Sequence, residues 1–111
     1  MENGAETGVI SIYVTFPAGF AVEDLIASLL DEKLIACANL LPEITSLYMW
    51  EGRMERDRET VAILKTSADR AEALTTRIRA AHPYEVPCIV AWPVIGGFAP
   101  YLEWVKTQTQ A

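Results

Sequence analysis

"ACANLLPEITSLYMWEGRMERDRETVAILKTS", residues 36–67, is the stretch that decides the fold. Aromatic and β-branched residues fill two arms on either side of Gly52, which belongs to the turn between them. That composition reads as a pair of antiparallel strands. The arms are long, because an ordinary strand runs about 5–6 residues. Pro42 has no N–H to give to a ladder, so the first arm must bulge or break there. Beyond it, residues 44–50 pair with residues 54–65.

Working outward, residues 9–16 alternate, with Ile10, Ile12, Val14 and Phe16 on one face and Ser11, Tyr13 and Thr15 on the other. This is a half-buried strand. After the break at Pro17–Gly19, Val22, Leu25, Ile26, Leu29, Leu30 and Leu34 recur at helical spacing, with Glu23 and Asp24 favourably placed in the first turn. Downstream of the hairpin, residues 67–81 form a second helix, capped by Thr66 or Ser67, with Asp69 in its first turn and Ala71, Leu74, Ile78 and Ala81 inside. Pro83 ends it. Residues 86–95 are a fourth strand, placed at a sheet edge by Pro87 and Pro93. Gly96 and Gly97 turn the chain into a short helix over residues 98–107, carrying Tyr101, Leu102, Trp104 and Val105.

The order strand, helix, strand, strand, helix, strand, short helix is the split βαβ pattern of the ferredoxin-like α+β fold, with an antiparallel sheet. The domain spans residues 9–107, between a polar, flexible leader (1–8) and a tail (108–111). Both long helices cover one sheet face, and no third layer of similar length remains for the other. Tyr13, Tyr48, Trp50, Trp92, Tyr101 and Trp104 are more large aromatics than one small core with a bare face should hold. An uncovered face and an overlong hairpin invite a partner chain, so a homo-oligomer is expected.

Composition bounds the function. A chain of 111 residues suits one domain, and 51% hydrophobic with 22% charged residues is globular rather than disordered. The formal charge of −6 gives a nucleic acid or an anionic membrane surface little attraction. No apolar run approaches the ~20 residues of a membrane span, and the first residues carry no export signal. A cytoplasmic protein with two reduced, mostly buried thiols, Cys37 and Cys88, is the expectation.

One segment carries most of the chemistry. "AAHPYEVPCIVAWP", residues 80–93, holds the single histidine, His82, beside Tyr84, Glu85 and Cys88. Imidazole suits copper or zinc, and a thiolate suits Cu(I). The plain structural reading is a helix end at which His82 bonds the last carbonyls. No compact ligand pair of the CxxC or HxxxH kind exists, so a metal centre would have to be assembled across the fold or between subunits.

The series "EKLIACANLLPEITSLYMWEGRMERDRETVAILKT" and "HPYEVPCIVAWPVIGGFAPYLEWV" resembles the divalent-cation tolerance protein CutA family from about Val9 to Val105. The markers are Cys37-Ala38-Asn39, Pro42, Ser46-Leu47-Tyr48, Trp50-Glu51-Gly52, Glu59, Lys65-Thr66, His82-Pro83-Tyr84, Pro87 and Tyr101-Leu102-Glu103-Trp104. The resemblance implies a tight homotrimer and a role in tolerance of copper and other divalent metals, with copper bound in some members. By the chemistry of their side chains, His82, Cys88 and Cys37 are the metal candidates. Three positions depart from the metal-binding pattern of such members: Val14 in place of a cysteine, Ala81 in place of a second histidine, and Cys88 in place of a glutamate.

Glu59 and Lys65 are six residues apart on one strand and so share a face. They either close a pocket with His82, Tyr84 and Trp50, lie on a solvated hairpin face, or form an ion pair that fixes a trimer's register. Two other functions compete with metal tolerance. A trimeric sensor like the PII signalling proteins would bind small anionic ligands, although "TFPAGFA" (15–21) has no glycine-rich phosphate loop. Acylphosphatase-like catalysis needs an arginine in residues 17–21, where there is none. A purely structural trimer that anchors a partner also fits.

Overall fold

The computed structural model describes residues 7–111. In chain order it contains β1 (Val9–Pro17), α1 (Val22–Asp31), β2 (Cys37–Trp50), β3 (Arg53–Ser67), a short 3₁₀ turn (Ala68–Arg70), α2 (Ala71–Ala81), β4 (Ile89–Pro93) and α3 (Ala99–Gln108). The sheet order is β2-β3-β1-β4, and every neighbouring pair is antiparallel. This is the ferredoxin-like arrangement, with β4 at an edge. The first six residues, most of the expected leader, lie outside the described residues.

Alternation decides the two faces. Ile12, Val14 and Phe16 of β1, with Ala62 and Leu64 of β3, point to the helices. They pack against Val22, Leu25, Ile26 and Leu29 of α1 and against Leu74 and Ile78 of α2. Each large aliphatic buried there contributes roughly 1.5–3 kcal/mol. The opposite face carries Ser11, Tyr13 and Thr15 with Val61, Ile63 and Lys65.

The hairpin turns on two residues. Glu51 (φ 49°) and Gly52 (φ 79°) both lie in the left-handed region, as a two-residue turn matched to strand twist requires. At Pro42 the ladder slips between Leu41 and Ile44, the expected bulge. β1 reaches only as far as Pro17, opposite Glu59. The outer half of the hairpin therefore stands clear of the third strand.

Four expectations change. The second helix has no side-chain cap, because the Thr66 hydroxyl donates to Leu34 O (2.7 Å) and the Ser67 hydroxyl is engaged with Thr109 (2.8 Å). β4 is shorter than residues 86–95, for a reason given below. The open face is not wholly bare: α3 lies across one end, where Val105 packs on Val9 and Ala36. The domain also runs past residue 107. Thr109 is 1% exposed, and its hydroxyl also donates to Val105 O, so it belongs to the body of the fold.

Thr109→Ala should cost about 1 kcal/mol, the usual net worth of a buried hydrogen bond. Thermal unfolding at fixed protein concentration would register it, and an unchanged midpoint would return residues 108–111 to the status of a tail.

Candidate functional site

The site grows from the end of α2. Pro83 bars the helical conformation to the residue before it, so His82 is extended (φ −77°, ψ 135°) and its ring swings under the sheet. The imidazole stacks on Phe16, with ring centroids 4.8 Å apart, and is 8% exposed. It does not bond the last carbonyls of its own helix. Nε2 lies 2.7 Å from the carbonyl oxygen of Thr15 on β1, and because a carbonyl only accepts, Nε2 carries the proton. Nδ1 accepts the backbone N–H of Tyr84 (3.1 Å). Both ring nitrogens are engaged.

This contact also explains the short β4. The strand begins at Ile89, opposite Val14, one residue before Thr15. Pro87 has no N–H to extend the ladder, and His82 supplies the donor that Thr15 would otherwise lack.

The same loop carries Tyr84 to the open sheet face, where its hydroxyl donates to Glu59 Oε2 (3.0 Å). Glu59 is 6% exposed, an unusual burial for a carboxylate. Burial first, then the Glu59 carboxylate, pushes the Tyr84 phenol well above its ordinary range. Glu55 and Asp57 share this face with Glu59 by alternation. Asp57 accepts the hydroxyl of Tyr48, and that hydrogen bond is the main reason the Tyr48 phenol is pushed up to about 12.

The other candidates lie elsewhere. Cys37 opens β2, with its Sγ 3.2 Å from the hydroxyl of Tyr101 on α3. Burial, and then this contact, raises Tyr101 to about 12. Cys88 is exposed, against the expectation of a buried thiol, because it sits in the loop leading into an edge strand. Lys65 pairs across the ladder with Cys37 and Ser11. At ~3.3 Å per residue it is about 20 Å from Glu59, so it closes no pocket there within one chain. Trp50, opposite Arg53 at the hairpin end, is about as far away in the other direction.

His82, Tyr84 and Glu59 thus come together, whereas Cys37, Cys88, Lys65 and Trp50 do not join them. Among the described residues, no three of the His, Cys, Asp and Glu side chains converge in a way that would hold a metal ion. With both imidazole nitrogens engaged and the two thiols apart, the donors do not fit a resident metal centre inside a single subunit. Asp57 is not singled out by the sequence reading, although its place between Glu55 and Glu59 in an i, i+2, i+4 acidic series is a signal that could have found it. The Thr15 carbonyl left no trace in the sequence, because any residue supplies one.

A ferredoxin-like sheet with helices on one face, an overlong projecting hairpin and a third helix across the end of its open face defines a compact α+β class. The chain belongs to the CutA1 divalent ion tolerance family, whose model, described as "CutA1 divalent ion tolerance protein", matches residues 10–108. It is 39% identical to the divalent-cation tolerance protein CutA of Escherichia coli (strain HS) over 105 residues, covering 95% of this chain and 94% of that one. It is 44% identical to the chloroplastic protein CutA 1 of Oryza sativa over 101 residues, 91% of this chain and 57% of the relative. The chain spans only about three fifths of the plant and animal relatives it matches. Among solved structures, CutA1 from Pyrococcus horikoshii superposes with a TM-score of 0.85 at 43% identity, over 92% of this chain and 99% of that one. CutA from Xylella fastidiosa gives 0.88 at 35% identity, over 93% and 99%.

His82→Ala removes a packed ring and leaves the Thr15 carbonyl and the Tyr84 amide without partners, so a loss of about 2–4 kcal/mol is expected in thermal or urea unfolding. A loss below about 1 kcal/mol would mean that the ring holds nothing in place.

At high pH the sign is fixed by the raised phenols. A group whose folded pKa exceeds its unfolded value stabilises fully below the unfolded pKa, and that stability is lost as pH rises through the folded one. Tyr48 and Tyr101 rise from 10.0 to about 12, so stability should fall progressively between pH 10 and 12. In an ultraviolet absorbance titration, Glu59→Gln should shift phenol ionisation downward, most for Tyr84 and less for Tyr48, which the same carboxylate also raises. An unshifted curve would break the link between Tyr84 and Glu59.

Proposed function

We propose that the protein is a non-enzymatic homotrimer acting in divalent-ion tolerance, whose contact with copper or a similar cation is weak and is made by donors from more than one subunit. The observation that carries this reading is the apolar surface a single subunit leaves in water. Leu47, Met49 and Met54 line the projecting hairpin, with Met54 67% exposed, and Trp92, Tyr101 and Trp104 mark the open face and its α3 border. A two-stranded ribbon is at best marginally stable alone, so this arm requires a neighbour to lie against. The bacterial relatives are divalent-cation tolerance proteins by name, which supports the class of ion.

Within that reading His82 is a structural wedge and Cys88 is the accessible soft donor, the kind of ligand that selects Cu(I). A reducing compartment such as the cytoplasm suits an exposed free thiol. No helix among the described residues is long and apolar enough to cross a membrane, and the charge of −6 argues against nucleic acid. A sensor of anionic ligands fits less well, since the cleft beside the first turn of α1 is lined by Glu23 and Asp24.

The test is titration of the reduced, untagged protein with Cu(I) and Cu(II), accompanied by sedimentation at micromolar concentration. Cys88→Ser should abolish most Cu(I) uptake, whereas His82→Gln, which keeps a donor for Thr15, should bind like wild type. The opposite pattern would restore His82 as the ligand, and a monomer in sedimentation would remove the trimer.

A further inference from the structure

Glu59 and Lys65 pose matching problems at opposite ends of one sheet face. Glu59 is 6% exposed, and its one hydrogen bond among the described residues comes from the neutral hydroxyl of Tyr84. No cation of its own chain pairs with it: the ion pairs among the described residues are Arg58–Glu43, Arg77–Glu32 and Lys106–Glu103. Asp57 and Glu55 flank it with the same sign. Lys65, half-buried between Ser11 and Cys37 in the ladder, likewise has no carboxylate partner among the described residues. A carboxylate this far from water is costly without an opposite charge, and half-buried Lys65 is the less solvated of the two cations that β3 puts on this face, so the two positions are complementary.

The two cannot satisfy each other inside one subunit, where about 20 Å of strand separates them. We infer that the Glu59 carboxylate is paired by Lys65 of a second copy of this chain, making a composite Glu59–Tyr84–Lys65 corner at each seam of the assembly. This inference rests on the trimer proposed above and adds its register and the residue each neighbour contributes. In the ring of three proposed above, every subunit would offer Glu59 at one seam and Lys65 at the next. The open face offers one other cation on β3, Arg53, by alternation from Glu59. Arg53 is exposed at the hairpin end, where water already solvates it, so it lacks the same need.

A double-mutant cycle on the untagged full chain tests the assignment, with trimer dissociation followed by sedimentation during dilution. Glu59→Gln and Lys65→Met should each raise the dissociation constant by on the order of tenfold or more, and the double variant should be no weaker than the worse single one. Arg53→Met, whatever its own effect at the hairpin end, should be additive with Glu59→Gln. If Glu59→Gln does not fold, Lys65→Met alone still reads the pair, and an unaltered dissociation constant overturns it. A wild-type monomer overturns both the trimer and the pair. A wild-type trimer in which the two effects simply add, or in which Arg53 couples instead, overturns the pair and leaves the trimer standing.

Discussion

The rest of the structure depends on a mismatch of lengths within one sheet. β2 and β3 run for 14 and 15 residues, whereas β1 and β4 run for 9 and 5. A ladder is satisfied only where a strand lies alongside, and a sheet face is buried only where a helix lies above it. The inner half of the hairpin has both, since β1 pairs with residues 59–67 of β3 and α1 and α2 pack beneath. The outer half has neither. Its apolar side chains and ribbon edges are what the proposed assembly exists to cover.

At the boundary between these halves the fold places the two buried titratable groups among the described residues, Glu59 and His82. β1 stops at Pro17, opposite Glu59, and the His82–Tyr84 loop fills the corner that remains. His82 replaces the missing end of β4 by donating to Thr15, and Tyr84 reaches past the strand end to Glu59. One proline-containing loop thus completes the sheet on its edge and supplies a donor to a buried carboxylate. The ring nitrogens that make His82 look like a metal ligand are occupied by the backbone they hold in place.

Much of this was legible in advance because it follows from periodicity. The inward residues of β1, the bulge at Pro42, the turn at Gly52 and the edge position of β4 each follow from a local rule about side-chain alternation, missing N–H groups or permitted backbone angles. The site was only half legible. Shared parity correctly put Glu59 and Lys65 on one face, but parity carries no distance, and six residues of extended chain keep them apart. Cys88 looked buried because its neighbours in sequence are apolar, yet exposure depends on how far the adjacent strand extends. The role of Ser67 as a partner of Thr109 rather than a helix cap was hidden for a similar reason, since the competing acceptor lies 42 residues away.

The sequence by itself determined the order and kind of the elements and the face to which each strand residue points, because those depend on interactions among near neighbours. Only the tertiary structure decided which polar groups meet. His82 finds the Thr15 carbonyl, 67 residues away, and Tyr84 finds Glu59, 25 residues away. Such contacts are set by where strands of unequal length happen to end, and no local pattern encodes that.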